Sequence, residues 1–174
     1  PKDPLAVKAT EIRKQDYLFW KDAKPDLEDD FDITCHTLAT RTGLSERRTR
    51  DITMALYRLA ELPLTMALQE TYYFLDFSRL ITIDAVLSKL GDVPAETLER
   101  IDQELSRYLT PSKPRQVLPS NTNLRRKLNG LIAIENPSTE ENKEAPTKNN
   151  TYFTYSSFGG KAGLAVEFDE TTLI

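Results

Sequence analysis

Hydrophobic positions recur along most of the chain with a helical period. Between residues 4 and 22, Leu5, Ala6, Ala9, Ile12, Leu18 and Phe19 alternate with charged residues and predict an N-terminal amphipathic helix. The stretch "KPDLEDDFD" breaks this pattern with Pro25 and acids at 26, 28, 29, 30 and 32, which predicts a loop. Its acids would complement the positive N-terminal end of a helix starting near Asp32 or Ile33. Ile52, Ala55, Leu56, Leu59 and Leu62 then mark one face of a long helix that Pro63 stops, and "LTMALQETYYFL" continues as a third helical stretch. Asp76 or Ser78 is a natural N-cap for "RLITIDAVLSKL", with Gly91 as its stop. Asp92 and Pro94 open "AETLERIDQELSRYL", where Leu98, Ile101, Leu105 and Leu109 line one face. Prolines interrupt "TPSKPRQVLPSNT", after which "NLRRKLNGLIAI" returns to helix with Leu124, Leu128, Leu131 and Ile132 apolar.

Periodicity changes in the last part of the chain. Residues 136–150 are polar, contain prolines and lack an apolar anchor, so they read as a flexible linker or disordered loop. Residues 151–174 read as two strands around Gly159-Gly160, with Leu164, Val166 and Phe168 on one face of the second. A lone hairpin is marginal in water, so it is expected to pack on the helical body or on a part of a longer protein that this chain lacks. The predicted fold is therefore mainly α: a helical domain over 1–135 containing a helix-turn-helix-like segment at 33–62, a linker, and a C-terminal β-hairpin.

Composition narrows the function classes. A formal net charge of -4 over 174 residues means that any nucleic-acid binding must come from a local patch. Nothing approaches the roughly 18–20 apolar residues of a membrane span, and "PKDPLAVKAT" has no signal-peptide character, so a cytoplasmic chain without membrane contact is expected. The absence of Met at position 1 and the ending "FDETTLI" read as a piece of a longer protein.

Catalytic constellations are hard to assemble from these residues. His36 is the sole histidine and Cys35, the sole cysteine, points to a different helical face, so they do not form a nucleophile–base pair; a structural histidine is the simpler reading. One Cys and one His are too few for a zinc site, and no disulfide can form within the chain. Acids at 26, 28, 30 and 32 have the alternation of a calcium loop, but Phe31 stands where that loop needs glycine and Thr37 where it needs glutamate. No phosphate-binding or dinucleotide fingerprint is present. The aromatic cluster "TYYFLDF", residues 71–77, is either a stacking surface or the core of a helical corner. No metal and no cofactor are expected.

The most informative stretch is "TLATRTGLSERRTRDI", residues 37–52. Ala39 is small enough for two helices to approach, Gly43 four residues later supplies a left-handed turn, Ser45 caps the second helix, and Leu38, Leu44 and Ile52 close a small core. Thr42 and Thr49 occupy positions that are more usually apolar. Arg47, Arg48 and Arg50 lie in the first turns of the second helix, where each opposes the helix dipole by some tenths of a kcal/mol. Glu46 with Arg50 is a favourable i,i+4 pair and Arg47 with Asp51 a poorer one, whereas Arg48 has no such partner. Between residues 38 and 58, Arg41, Arg47, Arg48, Arg50 and Arg58 face only Glu46 and Asp51, a pattern suited to phosphate or base-edge contact. A second basic run, without an intervening acid, holds Lys113, Arg115, Arg125, Arg126 and Lys127. Three readings stay open for the corner: contact with DNA or RNA, a solvated structural corner, and a protein-partner surface; for the module as a whole the competing class is a protein-interaction module, with the helical body and terminal hairpin as a docking or homodimerisation platform.

Taken in order, "LATRTGLSERRTRDITMALYRLAELPLTMALQE", "LDFSRLITIDAVLSKLGDVP" and "GGKAGLAVEFDETT" resemble the actinobacterial domain of unknown function 222, the 13E12 repeat family, over about residues 33–174. The resemblance implies a mostly helical module that precedes a C-terminal HNH nuclease. HNH chemistry needs several histidines around a metal, which His36 alone cannot supply, so the nuclease would lie in cis beyond Ile174. The family's own activity is not defined; together with the basic corner at 37–58 and the basic stretch at 113–127, the expectation is a non-catalytic accessory module that positions a nuclease on nucleic acid, DNA being the expected partner.

Overall fold

In the computed structural model, which describes residues 3–25, 30–113 and 117–135, seven α-helices follow one another. They are α1 (Pro4–Ala23), α2 (Phe31–Thr42), α3 (Glu46–Ala60), α4 (Pro63–Tyr72), α5 (Phe77–Leu87), α6 (Ala95–Leu109) and α7 (Asn121–Glu135), with a 3-10 turn at Ser88–Leu90. The fold is mainly helical, and no strand occurs among the described residues. The expected linker at 136–150 and hairpin at 151–174 lie outside the described residues. The chain divides into two units, 1–131 and 132–174, and of the second only residues 132–135, the end of α7, are described.

Helix α3 is the centre of the first unit, packing against α1, α2, α4 and α5. The expected apolar face is the buried one: Ile52, Ala55, Leu56 and Leu59 are all inside, and Leu62 follows just past the helix end. Thr49 and Thr53 share that face and are equally buried. Their hydroxyls donate to the carbonyls of Ser45 and Thr49 one turn back, at 3.0 and 2.8 Å, which leaves their methyl groups to pack as apolar surface.

Two buried polar side chains hold α4 in place. The Leu62 side chain at its N-cap has no acceptor for the first-turn donors, and Asp102 of α6 substitutes for the missing side-chain cap. Its carboxylate accepts from Leu64 N at 2.8 Å, Thr65 N at 2.9 Å and Thr65 Oγ1 at 2.7 Å, so a negative charge is buried against the positive end of a helix with three donors on it. At the other end, α4 closes on Tyr73 in the left-handed region (φ 51°). The buried Gln69 amide then bonds both backbone groups of Leu75, donating from Nε2 to its carbonyl at 3.0 Å and accepting from its N–H at 2.9 Å. Asp76 rather than Ser78 caps α5, accepting from Arg79 N at 3.0 Å. Helix α5 ends at Leu87, before the expected stop, and the 3-10 turn carries the chain on to Gly91. Leu124, Leu128 and Leu131 of α7 are buried, and Asn121 joins α7 to α5 through Ser78 Oγ at 2.6 Å.

Helix α1 departs from its sequence reading. Tyr17 and Trp20 are buried, whereas Leu5, Ile12 and Phe19 are exposed. Two large aromatic rings three residues apart bury more surface than the scattered aliphatics would, and Tyr17 also finds a polar partner for its hydroxyl. That hydroxyl donates to Glu70 Oε2 at 2.8 Å, Lys21 pairs with the same carboxylate, and Arg13 Nε donates to the Tyr73 carbonyl at 3.2 Å. Burial pulls the Glu70 carboxyl upward, but the hydrogen bonds from Lys21 and Tyr17 outweigh it and hold the group below its ordinary value. Burial and the Glu70 hydrogen bond push the Tyr17 hydroxyl well up.

Asp102→Ala leaves buried donors of α4 without an acceptor and is expected to cost about 2–4 kcal/mol, read as a lower urea midpoint at unchanged m-value. Glu70 binds its proton less tightly folded than unfolded. Its stabilisation is therefore complete above the ordinary value of 4.5 and is lost as pH falls through the lower folded value. In urea titrations across pH, the stability gap between wild type and Glu70→Gln should be widest near neutrality and close at acid pH; a gap independent of pH contradicts this linkage.

Candidate functional site

The corner between α2 and α3 is built from local signals. Asp30 caps α2 by accepting from Ile33 N at 3.0 Å, so the helix starts at Phe31, slightly before the expected position. Gly43 ends it with φ 78° and ψ 12°, and its N–H donates to the Ala39 carbonyl at 2.9 Å. Ser45 is extended and accepts from Arg48 N at 3.0 Å, which opens α3. Ala39 and Leu38 are buried beside Ile52, as the spacing predicts, but Leu44 is 40% exposed and closes only one edge of that core. Thr42 fits its unusual position in the way Thr49 does, its hydroxyl donating to Leu38 O at 2.7 Å.

The arginines separate into different environments. Arg50 reaches across the corner to Asp32 Oδ1 of α2 at 2.8 Å and lies over the Phe31 ring at 5.3 Å, an arrangement that raises its pKa. The expected Glu46–Arg50 pair is thus replaced: Glu46 pairs with His36 instead, and both of those side chains are largely exposed. Arg58 is half-buried between Asp84 at 3.2 Å and Glu61 at 2.8 Å, which removes it from the exposed surface. Arg48 is exposed and has a neighbour that local spacing could not reveal, Asp16 of α1. Burial raises the Asp16 carboxyl, and the charge of Arg48 draws it partly back. Arg41 and Arg47 are exposed and make no ion pair among the described residues.

Arg41 also lines a cleft of about 600 Å³ with Phe19, Asp22 and Ala23 of α1 and Leu38 and Thr42 of α2. It is an amphipathic notch with one cation and one carboxylate at its rim.

The second basic run is only partly gathered. Lys113, Arg125 and Arg126 are exposed, Arg126 donating to Asn123 Oδ1 at 2.7 Å, while Lys127 lies over the Tyr108 ring of α6 at 5.5 Å. Arg115 lies outside the described residues. The bonds that hold α7 run to α5, through Ser78 and Lys89, and its Lys127 meets α6. Of the second run, Arg125, Arg126 and Lys127 therefore sit on a helix tied to α5 and α6, not to α2.

Cys35 is fully buried, which pushes its thiol up and away from the reactive thiolate form. Of the aromatic cluster at 71–77, Leu75 and Phe77 are core residues and Tyr73 packs edge-on against Tyr17 at 6.0 Å, so the cluster serves the α4–α5 connection. Among the described residues, no group of three or more His, Cys, Asp or Glu side chains is placed to hold a metal ion. No helix among them is long and apolar enough to cross a membrane. No family model, curated protein or solved structure matches the chain.

The corner depends on backbone conformation at one residue and a cap at another. A methyl group at Gly43 meets no atom within 4 Å, so Gly43→Ala tests the left-handed backbone alone and is expected to cost about 1–2 kcal/mol. Ser45→Ala should cost about 1 kcal/mol through the lost cap. Denaturant midpoints of the two variants measure both effects, and a neutral Gly43→Ala contradicts the first.

Proposed function

We propose that the chain is a non-catalytic accessory module that contacts nucleic acid through the α2–α3 corner. The observation that carries this reading is the placement of exposed Arg47 and Arg48 on the first turn of α3, with Arg41 exposed at the end of α2. Cations at a helix N-terminus oppose its dipole, and the backbone N–H groups of a first turn have no partner within the helix. A phosphate answers both demands, accepting from the backbone and neutralising the arginines. Arg50 is tied to Asp32, so its role is to brace α3 against α2, and the contact set at the corner contracts to Arg41, Arg47 and Arg48. Lys113, Arg125, Arg126 and Lys127 form an auxiliary basic surface.

The resemblance to the domain of unknown function 222 supports the biological setting. On that reading the module acts in the cytoplasm and places a C-terminal HNH nuclease, encoded beyond Ile174, on DNA. The protein-interaction reading is favoured by a different observation, the exposed apolar residues of α1.

Fluorescence anisotropy with labelled duplex DNA over a range of salt concentrations tests the nucleic-acid reading. Affinity should fall with salt, and Arg41→Ala, Arg47→Ala or Arg48→Ala should each reduce the log–log slope by about one, with Arg50→Ala having less effect on the slope. No binding at low salt, or binding indifferent to those three arginines, overturns it.

A further inference from the structure

Helix α1 has 20 residues, about 30 Å of length, and buries only Tyr17 and Trp20 of its large apolar side chains. Leu5, Ile12 and Phe19 are 75%, 65% and 54% exposed. Their spacing is seven residues, so on a helix they drift by only about 20° per step and keep to one side of it two turns apart, with Lys8 and Ala9, then Gln15 and Asp16, at the turns between. Ala9 lies between Leu5 and Ile12 and Ala23 one turn past Phe19, both small enough for another helix to come close. Of the buried side chains, Tyr17 lies roughly 140° around the helix from Ile12 and Trp20 roughly 80°, so the row flanks the face that α1 packs on its own chain and meets α2 at its Phe19 end.

The row is also self-complementary. If Ile12 sits on a two-fold axis between two antiparallel helices, every residue faces the one at the same distance on the other side of Ile12. Leu5 then meets Phe19, and Lys8 comes level with Asp16, one pair at each end of the contact. Lys8 makes no ion pair in its own chain among the described residues, and Asp16, which feels the charge of Arg48 from α3, keeps an exposed edge that a second cation can reach. The hydrophobic order and the charge order thus both read the same in the two directions that an isologous contact requires. The cleft between Phe19 and Leu38 opens at the end of the row, where Leu5 of the opposing helix would arrive.

We propose that α1 is a self-association element, through which two copies of this chain pair by antiparallel α1 helices, with Ile12 on Ile12, Leu5 on Phe19 and Lys8 on Asp16. The contact is a single helix pair, so the dimer is weak and depends on concentration.

Sedimentation velocity on the full chain, without nucleic acid, tests the pairing separately from the corner's proposed role. Wild type should pass from monomer to dimer as concentration rises, and Ile12→Asp should weaken the dimer at least about tenfold. Because Ile12 is exposed, its far-UV dichroism and urea midpoint should match those of wild type. Lys8→Glu should weaken association, and Lys8→Glu with Asp16→Lys should restore it. Geometry is read by mild oxidation of cysteine variants, the native Cys35 being buried. Ile12→Cys should cross-link to itself, Leu5→Cys should not, and Leu5→Cys mixed with Phe19→Cys should. A monomer at every concentration, a dimer indifferent to Ile12→Asp, or self-cross-linking of Leu5→Cys as efficient as that of Ile12→Cys overturns the proposal.

Discussion

Burial of one face of α3 is the constraint from which the first unit is organised. Ile52, Ala55, Leu56 and Leu59 are removed from water together, and helices α1, α2, α4 and α5 are the surfaces that remove them. Each fully buried Leu or Ile contributes about 1.5–3 kcal/mol, so this stripe outweighs any surface pair in the structure. The same helix must leave its first turn in solvent, because the chain enters it through the Gly43–Ser45 corner. One element therefore carries both the core and the exposed arginines, and anything that rotates α3 disturbs both.

Polar residues are admitted to this core only with their partners. Asp102 holds the donors at the start of α4, Gln69 holds the backbone of Leu75, and Thr49 and Thr53 satisfy their own hydroxyls along α3. These contacts fix where α4 starts, where it stops and which way the chain leaves it. A buried carboxylate on a helix N-terminus combines charge–dipole attraction with hydrogen bonds that water no longer supplies. The arrangement makes the α4–α6 contact directional where apolar packing alone would allow sliding.

Surface charge is distributed by tertiary contact. Arg50 opposes the dipole of α3, and the offset comes from Asp32 on the preceding helix rather than from Glu46 four residues away. Glu46 turns to His36, and Arg48 meets the field of Asp16 from α1. The corner thus keeps Arg41 and Arg47 without ion pairs among the described residues, while its other arginines each have a carboxylate nearby. On the opposite account of the molecule, as a partner for its own copy, α1 supplies apolar side chains that its own chain leaves uncovered.

The helices and their ends were legible in the sequence wherever the signal is local. The periodic leucines of α3 and α6, the left-handed Gly43 and the capping Ser45 act within one or two turns, and they stand where their spacing places them. Tertiary structure decided which face of α1 is buried, because the choice between Tyr17 with Trp20 and Leu5 with Ile12 depends on what α3 and Glu70 offer opposite. It also decided the partners of Arg50 and Arg48, and it gave Asp102 its role 37 residues from Thr65, whose N–H it holds. A period or a cap is a property of consecutive residues and can be read from their order. A buried ion's partner is chosen by how distant segments meet in space, which the order of residues alone does not specify.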